Sequence, residues 1–95
     1  MAEVVWTDEA RHWLREIRDH IARDNPAAAS QTIDGIFEKA GLLSTFPKLG
    51  YRFRDDENVR ILIFGHFRIA YQIMSPDRID IQGVFHAALD IDRYI

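Results

Sequence analysis

Between Val59 and His86 the chain reads VRILIFGHFRIAYQIMSPDRIDIQGVFH, and that run admits few folds. Val59–Phe64 is apolar except for Arg60. Gly65-His66 makes a short connection. Phe67–Met74 then alternates, with Phe67, Ile69, Tyr71 and Ile73 on one side and Arg68, Ala70, Gln72 and Met74 on the other. Ser75-Pro76-Asp77-Arg78 is a turn, and Ile79–His86 opens a second alternation, Ile79 and Ile81 against Asp80 and Gln82. β-Branched and aromatic residues at period two, punctuated by Gly and Pro-Asp, predict three antiparallel strands in a meander.

The residues before this run change period. Glu3–Trp6 reads as a short strand. Thr7 is a suitable N-cap, and Asp8 and Glu9 put negative charge at a helix start. Ala10, Trp13, Leu14, Ile17 and Ile21 follow at helical spacing, with Arg11, Arg15, Arg18, Asp19 and Arg23 opposite and an Arg15/Asp19 pair in reach. Asp24-Asn25-Pro26 breaks the pattern, with Asn25 as the next cap and Pro26 at the first helical position. Ala29, Ile33, Ile36, Phe37, Ala40 and Leu43 then form a second stripe, and the short junction predicts an antiparallel helical hairpin. Gly35 and Gly41 weaken that helix and suggest close approach to a neighbour. Phe46-Pro47 ends it. Tyr51–Asn58 has no clear period and reads as an exposed loop, and the tail after His86 allows one helical turn from Leu89 or Asp90. Strand, two helices and three strands predict an α+β fold with the helical hairpin on one sheet face and the other face open.

At 95 residues the expectation is one domain. A hydrophobic share of 47% and a charged share of 28% fit a folded chain. The net charge of −3 argues against general affinity for nucleic acid, so no direct DNA binding is expected of this chain alone. Positive charge is carried almost wholly by arginine, which suits fixed bidentate contacts. The absence of cysteine excludes disulfides and thiolate metal sites. His12, His20, His66 and His86 share no ligand spacing, so neither metal nor cofactor is expected. No signal peptide or membrane-spanning run is visible, and a cytoplasmic location without membrane contact is the expectation.

Five short motifs in register carry a resemblance over essentially the whole chain. They are Val5-Trp6-Thr7-x-Glu9-Ala10, Asp24-Asn25-Pro26-x-Ala28-Ala29, Phe46-Pro47-x-Leu49-Gly50, Gly65-x-Phe67-Arg68-Ile69-x-Tyr71 and Val84-x-His86. The chain resembles the RelE/ParE toxin superfamily of bacterial type II toxin–antitoxin systems. The Asn-Pro-x-Ala-Ala junction and Phe-Pro-x-Leu-Gly turn look closer to the ParE branch.

That resemblance implies a toxin neutralised by a cognate antitoxin in a hetero-oligomer such as a heterotetramer. In the ParE branch the target is DNA gyrase, and the toxin acts by binding. In the RelE branch it is a metal-independent endoribonuclease that cuts mRNA on the ribosome. Fold does not choose between them. For cleavage, Arg68 matches the branch's phosphate-binding arginine and His86 the catalytic histidine of a YoeB-like subgroup. The tyrosine of that subgroup is replaced by Ala87, however, and the basic RelE cluster by Ala87-Ala88-Leu89-Asp90. A gyrase-directed toxin is therefore the first expectation, and a degenerate member that only binds antitoxin the third. The residues expected on the target or antitoxin surface are Arg52, Arg54, Arg60, Arg68, Arg93 and Tyr94. Leu62, Phe64 and Met74 are expected as exposed apolar groups that a folding antitoxin tail would cover.

Plain structural roles stand beside these. Arg68 also reads as a solvated sheet arginine, or as paired with Asp80 or Asp77. His86 also reads as a hydrogen-bonding strand end, and Tyr71 as core with its hydroxyl at the rim. Trp6, Trp13, Phe37 and Phe46 read as core, and Arg11, Arg15, Arg18 and Arg23 as a solvated helix face.

Overall fold

Thr7 joins the first strand to the first helix and ties both to the sheet. Its hydroxyl accepts from the Ala10 amide at 3.2 Å, capping the helix, and donates to the Ile81 carbonyl at 2.6 Å. In this computed structural model, which describes residues 1–87, β1 (Glu3–Trp6) leads through that cap into α1 (Asp8–Ala22). Asn25 caps α2 (Pro26–Gly41) by accepting from the Ala28 amide at 3.1 Å, with Pro26 in the first turn where its missing N–H is harmless. A single 3-10 turn, Leu42–Ser44, closes the helical part. Strands β2 (Tyr51–Phe53), β3 (Asp56–Phe64), β4 (Phe67–Ser75) and β5 (Arg78–His86) complete a five-stranded sheet of order β1-β5-β4-β3-β2. β1 lies parallel to β5, and every other pairing is antiparallel.

The meander and the helical hairpin agree with the sequence. The helices cover one sheet face, where Leu14, Ile36, Ala40 and Leu43 meet Leu62, Ile69, Tyr71, Ile79, Ile81 and Val84. Burying such side chains contributes about 1.5–3 kcal/mol each, which is what holds the helices to the sheet. Gly35 does allow a close approach, since a Cβ there would lie 2.3 Å from the Phe64 ring. Gly41 does not, for nothing lies within 4 Å of its Cβ position.

Four expectations need correction. Tyr51–Asn58 is not a loop but β2, a two-residue turn at Arg54-Asp55, and the start of β3. The run Asp55-Asp56-Glu57 has poor strand propensity, and the pairing of β2 with β3, which sets Tyr51 opposite Ile61, Arg52 opposite Arg60 and Phe53 opposite Asp56, overrides it. Arg54 takes a φ of 62°, in the place where the Gly65-His66 turn carries Gly65 at φ 55°. Phe37 and Phe46 are not core; they are 45% and 57% exposed. Leu62 is not exposed but packs under the helices, and Phe64 is half-buried against α2. Finally, the reverse sheet face is not wholly bare, because Ile61, Ala70 and Phe85 form a second small cluster against Phe53 and Trp13. The tail turn expected from Leu89 or Asp90 lies outside the described residues.

One irregularity sets the geometry of the far end of the sheet. Tyr71 faces Ile81, but Ala70 faces Gly83, so Gln82 is an extra residue in β5. A bulge of this kind moves all later side chains to the opposite face. Ile81 and Val84 therefore both face the helices, while Phe85 joins the reverse cluster.

Candidate binding surface

Arg60 is the charge that interrupts an apolar strand, and the structure turns it inward. It pairs with Tyr71 across β3 and β4 and is 9% exposed. Its Nε donates to the Glu57 carbonyl at 2.9 Å and its guanidinium to the Gly50 carbonyl at 2.8 Å. Beside it the Tyr71 hydroxyl donates to the Pro47 carbonyl at 2.7 Å and accepts from the Gly50 amide at 3.0 Å. Burial is the main cause that raises the Tyr71 pKa, partly offset by the Gly50 amide and the Arg60 charge. Gly50 fits because a Cβ there would sit 2.6 Å from the Ile61 carbonyl oxygen. Phe46-Pro47-x-Leu49-Gly50 is thus a backbone segment clamped to the sheet by two buried side chains. Arg60 belongs to that clamp, and the position expected of it on a contact surface is corrected accordingly. The sequence signal was the lone cation in an apolar strand preceded by a Pro-x-x-Gly turn.

The other expected residues do not form one patch. Arg52 is exposed on β2, and Arg54 is exposed at the hairpin turn with its guanidinium 4.9 Å from the Phe53 ring centroid. Arg68 lies opposite Ile63, at the other end of β3. The seven steps along the strand from Asp56 to Ile63 put about 23 Å between the Arg54 turn and Arg68. Arg68 is half-buried, and its guanidinium donates to the Gly65 and Phe67 carbonyls at 3.1 and 3.0 Å. Asp80 does not pair with it, being bonded to Arg78 at 2.8 Å, an interaction that raises the Arg78 pKa. Arg15 and Asp19 do not pair either; Asp19 accepts from Arg18 at 3.3 Å. Arg93 and Tyr94 lie outside the described residues.

Arg68 and His86 are held apart by the pleat. Arg68 is opposite Phe85 and His86 opposite Phe67, so the two side chains leave opposite faces of the sheet. The His86 ring stacks on His66, with centroids 6.0 Å apart and planes within 15°, and meets the edge of Phe67. It borders a cavity of about 250 Å³ walled by Trp13, Ile17, Phe67 and Val84. A phosphate held by Arg68 would have the strand backbone between it and His86. Among the described residues no group of three or more His, Asp or Glu side chains is placed to hold a metal ion, and no helix is long and apolar enough to cross a membrane.

The exposed apolar side chains do gather. Leu42, Leu49, Tyr51 and Ile63 are 45–50% exposed. They border two adjoining grooves of about 260 and 290 Å³ that share Lys39. β2 pairs with β3 only as far as Ile61, so among the described residues the β3 edge at Leu62–Phe64 has no partner strand. Met74, at 52%, is exposed as expected.

Residues 4–91 match the family described as ParE toxin of type II toxin-antitoxin system, parDE. The chain belongs to the ParE toxin family. Solved structures agree on the fold. A chain of the chromosomal ParDE system from P. aeruginosa superposes with a TM-score of 0.75 at 22% identity, over 90% of this chain and 96% of that one. A chain of the toxin–antitoxin complex RelBE2 from Mycobacterium tuberculosis gives 0.62 at 23% identity, again over 90% and 96%. No curated protein matches. Of the residues that carry the ParE resemblance, Gly50 and Tyr71 act in the clamp, Pro47 supplies the carbonyl it holds, and Thr7 and Asn25 are helix caps. The family signature here is mostly a description of how the fold is locked.

Proposed function

We propose that this ParE-family toxin acts by binding, with DNA gyrase as its target, and that a cognate antitoxin neutralises it. The observation that carries the choice against ribonuclease chemistry is the separation of Arg68 and His86 by the sheet. Metal-free RNA cleavage needs a proton acceptor and a phosphate-stabilising cation on the same scissile group, and these two side chains diverge. The two structural relatives are described as a toxin–antitoxin system and a toxin–antitoxin complex, which supports an antitoxin partner. The free β3 edge flanked by Leu42, Leu49, Tyr51 and Ile63 supports it too, since an extended segment can add to such an edge and cover the apolar groups beside it.

The target is tested by a supercoiling assay with purified gyrase. Inhibition at micromolar toxin is expected, and its absence removes gyrase from the proposal. A translation extract with a reporter mRNA tests the ribonuclease reading in parallel. Cuts that depend on both Arg68 and His86 would replace binding with chemistry. Induced expression without antitoxin should arrest growth; a harmless chain would be a degenerate member of the family.

A further inference from the structure

His66 and His86 are twenty residues apart in the chain, yet the pairing of β4 with β5 brings them together. His66 sits in the turn before β4, and His86 ends β5 opposite Phe67. The Ala87 amide donates to the His66 carbonyl at 2.7 Å, which ties the two backbones at this corner of the sheet. The Phe67 ring meets the His86 ring at a centroid distance of 5.8 Å and nearly at right angles, so it backs one side of the pair. The two imidazole centroids are 6.0 Å apart, and both side chains are exposed to solvent. The binding function proposed above uses neither of them. The other two histidines, His12 and His20, lie eight residues apart on α1, which spaces them by about 12 Å along the helix.

Imidazole nitrogen is a ligand for late first-row divalent ions. An ion about 2.1 Å from one nitrogen of each ring holds the two centroids about 5–6.5 Å apart, according to the angle between its bonds. The observed 6.0 Å falls inside that span. The ring planes are within 15° of parallel, so binding asks each ring to swing about its Cβ–Cγ bond until a nitrogen faces the gap. That torsion is broad and soft for histidine. We infer that His66 and His86 form a two-histidine site for a late first-row divalent ion, copper(II) before nickel(II) or zinc(II), with water in the remaining positions. Among the described residues no group of three or more His, Asp or Glu completes a closed shell, and the chain has no cysteine. The site is therefore open, unlike a four-ligand zinc cage, and it lacks the carboxylate oxygens that magnesium and calcium require. Copper(II) leads because divalent affinities at nitrogen sites follow that order. A bound ion links the Gly65-His66 turn to the end of β5. It also gives His86, the last residue of the Val84-x-His86 motif, a role that does not involve Arg68. The site depends on neither the gyrase reading nor the antitoxin reading.

The test titrates Cu²⁺, Ni²⁺ and Mg²⁺ into the full untagged chain by calorimetry, in a non-chelating buffer near neutral pH. One Cu²⁺ per chain at micromolar affinity is expected, with Ni²⁺ weaker and no heat of binding from Mg²⁺. His66→Gln and His86→Gln should each weaken Cu²⁺ by about tenfold or more, while His12→Gln on α1 should stay within about twofold. Cu²⁺ should raise the melting temperature of wild type and leave that of the His66→Gln/His86→Gln double variant unmoved. The three substituted positions are exposed, and melts without metal check that each variant folds. A second readout needs no variant. Substoichiometric Cu²⁺, being paramagnetic, should broaden the amide signals of residues 65–67 and 85–87 before any others. A wild-type chain that binds no Cu²⁺ would overturn the inference. So would a double variant that binds as wild type does, Mg²⁺ binding as tightly as Cu²⁺, or broadening that begins on α1 around His12 and His20.

Discussion

Tyr71 shows how one side chain can be both core and clamp. Its ring is fully buried, yet its hydroxyl satisfies a carbonyl at Pro47 and an amide at Gly50 that would otherwise be hidden without partners. Tyr71→Phe keeps the ring and removes both bonds. The expected loss is about 1–3 kcal/mol in urea unfolding, the range for stranding buried polar groups. The pH dependence has a definite sign. The folded state raises the Tyr71 pKa above its ordinary value of 10.0, so the stability linked to its proton is complete below pH 10. It is lost as pH rises from there through the folded pKa. Wild type should weaken over that alkaline window, and the Phe variant should lack this part of the slope. Arg60, beside it, illustrates what could be read ahead of the structure. A cation alone in Val59–Phe64 marks an unusual environment. Its partners, however, are the Glu57 and Gly50 carbonyls, and backbone atoms leave no trace in a residue pattern.

At the scale of elements, the strands that alternate were legible and the strand that does not was missed. Phe67–Met74 has a face for each residue because one side of β4 is core. β2 has three residues, lies at the sheet edge, and adjoins an acidic turn, so no period can emerge. Glycines divide in the same way. Gly50 is pressed against the Ile61 backbone, which cannot yield, whereas Gly41 faces open space in a helix. Gly50→Ala should destabilise by about 1–3 kcal/mol through overpacking. Gly41→Ala should stabilise by up to about 1 kcal/mol through helix propensity. Denaturant midpoints measured side by side check the contrast, and equal effects would mean the clamped loop yields more easily than its contacts suggest.

For the whole molecule, sheet order ranks local stability. β4 and β5 are paired on both edges over part of their length and carry Ile69, Tyr71, Ile79 and Ile81 at 0% exposure. Native-state hydrogen exchange should therefore find the slowest amides around Ile69–Tyr71 and fast exchange at Arg52 on the β2 edge. Protection of Arg52 equal to that of Ile69 would refute this ranking. The residue pattern alone determined the elements that carry a clear period, because each amphipathic period reports the face that water is kept from. It also determined the family, because caps, turns and the Pro-x-x-Gly segment are local requirements. What only the tertiary structure decided is where that periodicity breaks. Gln82 is one residue too many for β5, and strict alternation from Ile81 would have set His86 on the side of Arg68. A bulge is stabilised by the strands on either side of it, not by its own residue types. So the feature that separates the two candidate catalytic groups came from packing, which no local pattern encodes.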